Sequence, residues 1–176
     1  WRGVERFFRR CVRGDACLSA LGLRAAEIEF TSGDVARARG ARKEGRRTFR
    51  AACAYHGPSF VGFQWNSTID FAYDGNVPFE PGRASVSAAL QSALRPVLDK
   101  TRPTPSAGRT DRGVSALATC VSFWSKSAVI SAAEIERLVN VESAPGRAGL
   151  LRVSDVCETS SSFHATFAAE SRRYVY

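Results

Sequence analysis

The first apolar positions of the chain recur with a helical period. Val4, Phe7, Phe8, Cys11 and Val12 fall at i, i+3, i+4, i+7 and i+8, a single stripe on a helix. Arg6, Arg9, Arg10 and Arg13 lie mostly off that stripe. Leu18, Leu21, Leu23 and Ile28 add further apolar positions, so residues 1–30 are expected to form a helical extension. Residues 31–47, TSGDVARARGARKEGRR, offer almost nothing to bury and read as a basic linker or an RNA-tracking arm.

The pattern changes at residue 48, where the globular part is expected to start. Phe49 to Tyr55 is strand-like, and His56-Gly57-Pro58-Ser59 is a turn. Residues 66–84 are polar with two prolines and two glycines, hence a loop. Ser85 can cap a helix whose apolar stripe is Val86, Leu90, Leu94, Val97 and Leu98. Pro103-Thr104-Pro105 breaks the chain, Cys120 to Trp124 is a strand, and Ser131 begins a helix with Ile135, Leu138 and Val139 on one face. Leu150 to Val153 and Arg172 to Tyr176 read as further strands. Alternating strands and helices imply an α+β or α/β domain over residues 48–176.

Composition narrows this little, and charge more. The 176 residues are 44% apolar and 24% charged, as in ordinary globular proteins, and no apolar run reaches the ~18 residues of a membrane span. Five cysteines without a C-x-x-C pair, and only two histidines, speak against a zinc site or a disulfide framework. Reduced thiols in an intracellular compartment are expected instead.

Lys plus Arg is 25 against 17 Asp plus Glu, a net +8. Residues 1–50 hold 13 basic and 6 acidic side chains; the rest hold 12 and 11. A basic segment of this kind attracts polyanions, most often nucleic acid, or serves as a solvated tail. The Arg-rich amphipathic start shares features with a mitochondrial presequence, although Glu5, Asp15, Glu27 and Glu29 are unusual in one. A mitochondrial or cytoplasmic location follows, with the mitochondrion favoured. The chain has no methionine, and Tyr174-Val175-Tyr176 ends in an uncapped alternation, so it is expected to be a piece of a longer protein.

Asp111 is the leading candidate for chemistry. It lies in Gly108-Arg109-Thr110-Asp111-Arg112-Gly113-Val114, a glycine-flanked loop with an arginine on each side. A nearby guanidinium favours the ionised carboxylate, which can serve as nucleophile or base. On spacing alone, a turn aspartate bonded to its own backbone is the simpler reading.

The rest of the chain shifts that balance. Gly108 to Val114 resembles the G-R-T-D-x-G-V signature of the TruA family of tRNA pseudouridine synthases. Tyr55-His56-Gly57-Pro58-Ser59-Phe60-Val61-Gly62-Phe63-Gln64 resembles the family's Y-D-G-x-x-[FY]-x-G-[WF]-Q segment. Ser85 to Leu94 resembles its S-V-x-x-x-L-x-x-A-L helix. Phe163-His164-Ala165-Thr166-Phe167-Ala168-Ala169 through Arg172-Arg173-Tyr174-Val175-Tyr176 resembles F-H-A-R-F-S-A…R-R-Y-x-Y. The four segments occur in the family's order and span roughly residues 49–176.

The resemblance implies an α+β, pseudouridine synthase-like domain with a mainly antiparallel sheet and packed helices, preceded by the helical basic extension. Helices are expected near 85–98 and 131–140, packed on one face. It implies isomerisation of uridine to pseudouridine in RNA, most often tRNA, with no metal or organic cofactor. Asp111 takes the catalytic position. Arg109, Thr110, Arg112, Arg173 and Tyr174 are the implied substrate-binding residues, with Arg109 placed to pair with Asp111 and Tyr174 placed against the target base. The implied partners are RNA (tRNA or rRNA) and a second copy or ribonucleoprotein subunits, with no membrane. Phe60, Phe63 and Trp65 are expected in the core, and His164 as a hydrogen-bonded structural histidine.

The chain departs from the family pattern at several points. His56 replaces an aspartate, Ser115 stands where a histidine is common, and Thr166 replaces an arginine that would touch RNA. The loop from Gln64 to Ser85 is longer, and the residues after Asn140 follow N-x-x-L-P only loosely. The family's C-terminal half, which lines the other side of the cleft, is absent, so the chain alone is expected to be inactive. The alternative is a non-catalytic RNA-binding scaffold or assembly factor of a large ribonucleoprotein, such as a mitochondrial ribosome, on the same fold.

Overall fold

The computed structural model describes residues 46–70, 78–98, 104–172 and 174. The expected extension over 1–30 and nearly all of the 31–47 linker lie outside the described residues, as do Arg173 and Tyr176.

Three strands form one sheet: β1 (Arg47–Tyr55), β2 (Ala116–Ser125) and β3 (Leu151–Thr159). Their order is β2-β1-β3 and both pairings are antiparallel. The alternation along β1 turns Phe49, Ala51, Cys53 and Tyr55 to a buried face. Phe49 stacks on its cross-strand partner Phe123, ring centroids 5.9 Å apart. The α+β architecture with an antiparallel sheet is as expected.

The helices follow their caps. Ser85 accepts the Ala88 amide and starts α1 (Val86–Leu94); Ser131 accepts the Glu134 amide and starts α2 (Ala132–Arg137). Val86, Leu90 and Leu94 of α1 and Ile135 of α2 join the strand residues in one hydrophobic core. α1 stops earlier than its apolar stripe suggests. Ser125 Oγ donates to the Val97 carbonyl, and Leu98 bridges to Ser125, so a sheet residue takes up the end of the stripe. Val97 and Leu98 stay buried there without being helical.

After α2 the chain widens into a π-helical turn, Leu138–Glu142, and then a single turn α3, Ala144–Arg147. Gly146 allows this: a β-carbon there would lie 1.9 Å from the Val139 carbonyl oxygen. The turn places Asn140 against β3, where its amide receives from Val153 N and donates to Val153 O, both at 2.8 Å. A side chain thereby takes the place of a neighbouring strand at that point of the sheet edge.

β1 begins at the last residue of the expected linker. Arg47 is the first residue of β1 and makes a forked ion pair with Glu158 of β3, at 3.1 and 2.7 Å. Its remaining nitrogen donates to the Ile130 carbonyl at 2.9 Å. The last arginines of the basic run thus belong to the fold. Arg172 and Tyr174, expected in a strand, lie in irregular backbone. Arg172 Nε donates to the Ala107 carbonyl, so the chain there is held by a side chain rather than by a ladder.

Candidate active site

The turn after β1 and the loop before β2 are packed backbone to backbone, and this contact builds the site. Gly57 opens a short 3₁₀ turn, Gly57–Ser59. A β-carbon on Gly57 would lie 2.3 Å from the main chain of Val114, so only glycine fits. Its amide donates to Ser115 Oγ at 2.9 Å. His56 Nδ1 and Ser59 Oγ bond across the same turn at 2.9 Å. Two of the departures from the family pattern, His56 and Ser115, therefore hold this turn together. Gly62, at φ +124°, passes close to the Thr110 carbonyl and the Arg112 amide. The Phe63 amide then donates to the Thr110 carbonyl at 3.0 Å.

Thr110 is fixed from a second side. Its hydroxyl bonds Tyr55 Oη at 2.7 Å. Tyr55 is almost wholly buried among Phe60 and Phe63. Burial pushes its phenol up to about 12, against the opposing effect of the Thr110 bond. Phe60 and Phe63 are core residues, as expected, while Trp65 is only half-buried.

With Thr110 held on both sides, Asp111 is turned to solvent. It is exposed, in irregular backbone, and its carboxylate makes no hydrogen bond or ion pair with any described residue. Arg109 is exposed too, but it does not pair with Asp111. Its Nη1 donates to Gln64 Oε1 at 3.0 Å, across the seam between the two loops. Arg112 is exposed beside them.

Tyr174 is 57% exposed, and it lies near enough to Tyr55 to add to the rise of the Tyr55 phenol. Together with the Arg172 contact to Ala107 and Gly108, this brings the C-terminal segment alongside the Asp111 loop. Four of the named site residues, Arg109, Thr110, Asp111 and Arg112, thus share one loop, and Tyr174 follows two residues after Arg172, whose side chain rests on the start of that loop. Arg173 lies outside the described residues.

His164 corrects another expectation. Its buried Nδ1 has no hydrogen-bond partner, and the ring sits between Trp124 and Phe167 instead. Burial pushes its pKa down, partly opposed by its own main chain.

Sequence reasoning missed Asp70. It is fully buried and accepts the Asn66 amide at 2.7 Å and the Ser85 amide at 2.8 Å. It ties the long loop to the start of α1. Asp70 sits in a polar stretch with no period, so only the tertiary contact reveals it.

No protein-family model matches the chain. Individual proteins do. The chain is similar to tRNA pseudouridine synthase A of Dictyoglomus thermophilum, with 30% identity over 129 residues, 73% of this chain and 45% of that protein. It is 35% identical to the protein of the same name from Neisseria gonorrhoeae over 123 residues, 70% of this chain and 40% of that one. The Methylobacillus flagellatus protein gives 35% over 122 residues, 69% and 40%. The chain spans a little under half the length of these relatives. Motif order and relatives agree: over about 70% of its length this chain is similar to the tRNA pseudouridine synthase A proteins.

Proposed function

We propose that the protein containing this chain isomerises uridine to pseudouridine in RNA, with tRNA as the substrate its relatives' names point to and Asp111 as the catalytic carboxylate. The observation that carries the reading is the presentation of Asp111. The Tyr55–Thr110 bond and the Phe63–Thr110 backbone bond fix the preceding residue, leaving at the surface a carboxylate that is unpaired among the described residues.

The reaction asks little else of the protein's functional groups. The N1–C1′ bond of the uridine breaks, the base turns, and C5 bonds to C1′; C5 loses its proton and N1 gains one. An ionised carboxylate can attack the sugar or the base, or take a proton from the sugar. The uridine must first leave its stack, at a cost of a few kcal/mol that the pocket offsets. Tyr174 offers an exposed aromatic face for the extruded base. Arg109, Arg112 and Arg173 supply cations for the backbone around it.

The test uses the full-length protein and tRNA carrying tritium at uridine C5. Wild type is expected to release tritium, and Asp111→Asn to release none while binding the tRNA normally. Normal release by the variant would place the chemistry elsewhere.

One observation favours the non-catalytic reading. Thr166 stands where the family pattern has an arginine, and its Oγ1 donates inward to the Ser106 carbonyl at 2.8 Å. A position suited to RNA contact is spent on the fold. Wild-type protein that binds RNA and releases no tritium from any RNA would establish the scaffold reading.

A further inference from the structure

Arg109 is bonded to the weaker of two available partners. Only Thr110 separates it from Asp111 in the chain, and a carboxylate holds a guanidinium more strongly than a neutral amide does. Its Nη1 nevertheless donates to the side-chain oxygen of Gln64, 45 positions away, at 3.0 Å. Asp111 has no partner among the described residues.

The seam between the two loops accounts for this choice. The Phe63 amide donates to the Thr110 carbonyl at 3.0 Å, which holds Phe63 against Thr110. Gly62, at φ +124°, lets the two main chains come close: a β-carbon there would sit 3.4 Å from the Thr110 carbonyl oxygen and 3.6 Å from the Arg112 amide nitrogen. Tyr55 Oη anchors the Thr110 side chain. Gln64 follows Phe63 and Arg109 precedes Thr110, so a fixed pair of residues brings their neighbours within reach of each other. Main-chain geometry, rather than charge, selects the partner of Arg109.

The selection matters to both charged groups. A guanidinium forked onto the Asp111 carboxylate would cover the oxygens that have to reach the uridine. Gln64 occupies one of the five N–H donors of Arg109, and the others have no partner among the described residues. The arginine thus remains a cation open to phosphate, and the carboxylate remains uncovered.

We infer that Gln64 is a positioning residue that holds Arg109 off Asp111, keeping the carboxylate open and the guanidinium free for RNA phosphate. The inference rests on the proposed role of Asp111 and adds to it a side chain that acts through Arg109.

The experiment measures tritium release from uridine-labelled tRNA by the full-length protein and its variants. Gln64→Ala releases Arg109 to Asp111 and should lower kcat roughly fivefold, about what an exposed ion pair can withdraw from the open arrangement. Gln64→Glu keeps an acceptor for Arg109 and should keep the wild-type kcat. In an Arg109→Ala background, Gln64→Ala should cost nothing further, because no guanidinium is left to release. The melting temperature should stay at the wild-type value in each Gln64 variant, since both side chains are exposed. Crystal structures of the full-length protein give a second readout, with Arg109 on Gln64 in wild type and on Asp111 in Gln64→Ala. An unchanged kcat in Gln64→Ala, an equal loss in Gln64→Glu, or the same loss with and without Arg109 would overturn the inference. Wild type that releases no tritium would overturn the proposed function instead. The crystal structures then decide the role of Gln64 alone, and Arg109 on Asp111 in wild type, or away from it in Gln64→Ala, would overturn it.

Discussion

The hydroxyls of Tyr55 and Thr110 meet at 2.7 Å, and this bond ties the end of the central strand to the residue before Asp111. It is a hydrogen bond within a largely apolar setting, where losing one partner leaves the other unsatisfied. Tyr55→Phe is expected to cost about 1–2 kcal/mol in urea denaturation, a hydrogen bond and part of a desolvation penalty. The tyrosine also gives the fold an alkaline limit. Its phenol is raised on folding, so its contribution is complete below the unfolded value near 10 and is lost as pH rises through about 12. Stability of the wild type should fall over that window, and Tyr55→Phe should flatten the fall.

Two glycines offer a matched pair of substitutions. Gly57 faces the Val114 main chain with no room for a β-carbon, whereas Gly82, at φ +80°, has open space around it. Gly82→Ala is expected to cost only backbone strain, about 1–2 kcal/mol. Gly57→Ala must push two loops apart and is expected to cost about 3 kcal/mol or more, or to prevent folding. Thermal melting of the two variants should rank them in that order. The reverse ranking would mean that the two loops are not in contact.

Asp111→Asn should leave stability within about 0.5 kcal/mol of wild type, because the carboxylate is exposed and has no partner among the described residues. A marked change in melting temperature in either direction would reveal a structural partner and weaken its assignment to chemistry.

Asn140 should matter more than its polar, half-buried position suggests. Asn140→Ala removes both bonds to Val153 and leaves two main-chain groups of β3 uncovered. A loss of about 2–3 kcal/mol is expected. Hydrogen exchange at the Val153 amide should rise in the variant by more than at Leu151.

Residues 1–45 hold ten basic and six acidic side chains. Removing them, while keeping Arg46 and Arg47 for the fold, should weaken binding to many RNAs alike and lessen its salt dependence. An unchanged salt slope would assign the segment to protein contacts.

What the sequence showed best was local. Ser85 and Ser131 are caps that act on amides three residues away, and the Val86–Leu90–Leu94 stripe needs no distant partner to be read. The Asp111 loop was legible through its motif. What was hidden depends on contacts across long stretches of chain. Arg109 has Asp111 two positions away in sequence but Gln64 beside it in space. The α1 stripe continues to Leu98, yet Ser125 of β2 draws its last turn into the sheet. His164 was expected to find a hydrogen bond, but its buried Nδ1 has none, and the rings of Trp124 and Phe167 lie against it. In each case a nearby rule was correct and a distant residue outcompeted it.

The sheet order has a consequence for how the molecule reaches this state. Among the described residues β1 is first of the three strands and central in the sheet, with β2 and β3 as its neighbours. Neither neighbour exists until the chain has passed residue 116, and the second arrives only after residue 151. Until then β1 has both edges unpaired and its apolar face, Phe49 to Tyr55, uncovered. Pairings across such sequence distances close large loops and form slowly. The strand that delivers Tyr55 to the Asp111 loop is thus the one longest at risk of wrong partners during synthesis. Slower production at low temperature should recover more native protein than any adjustment of the finished fold.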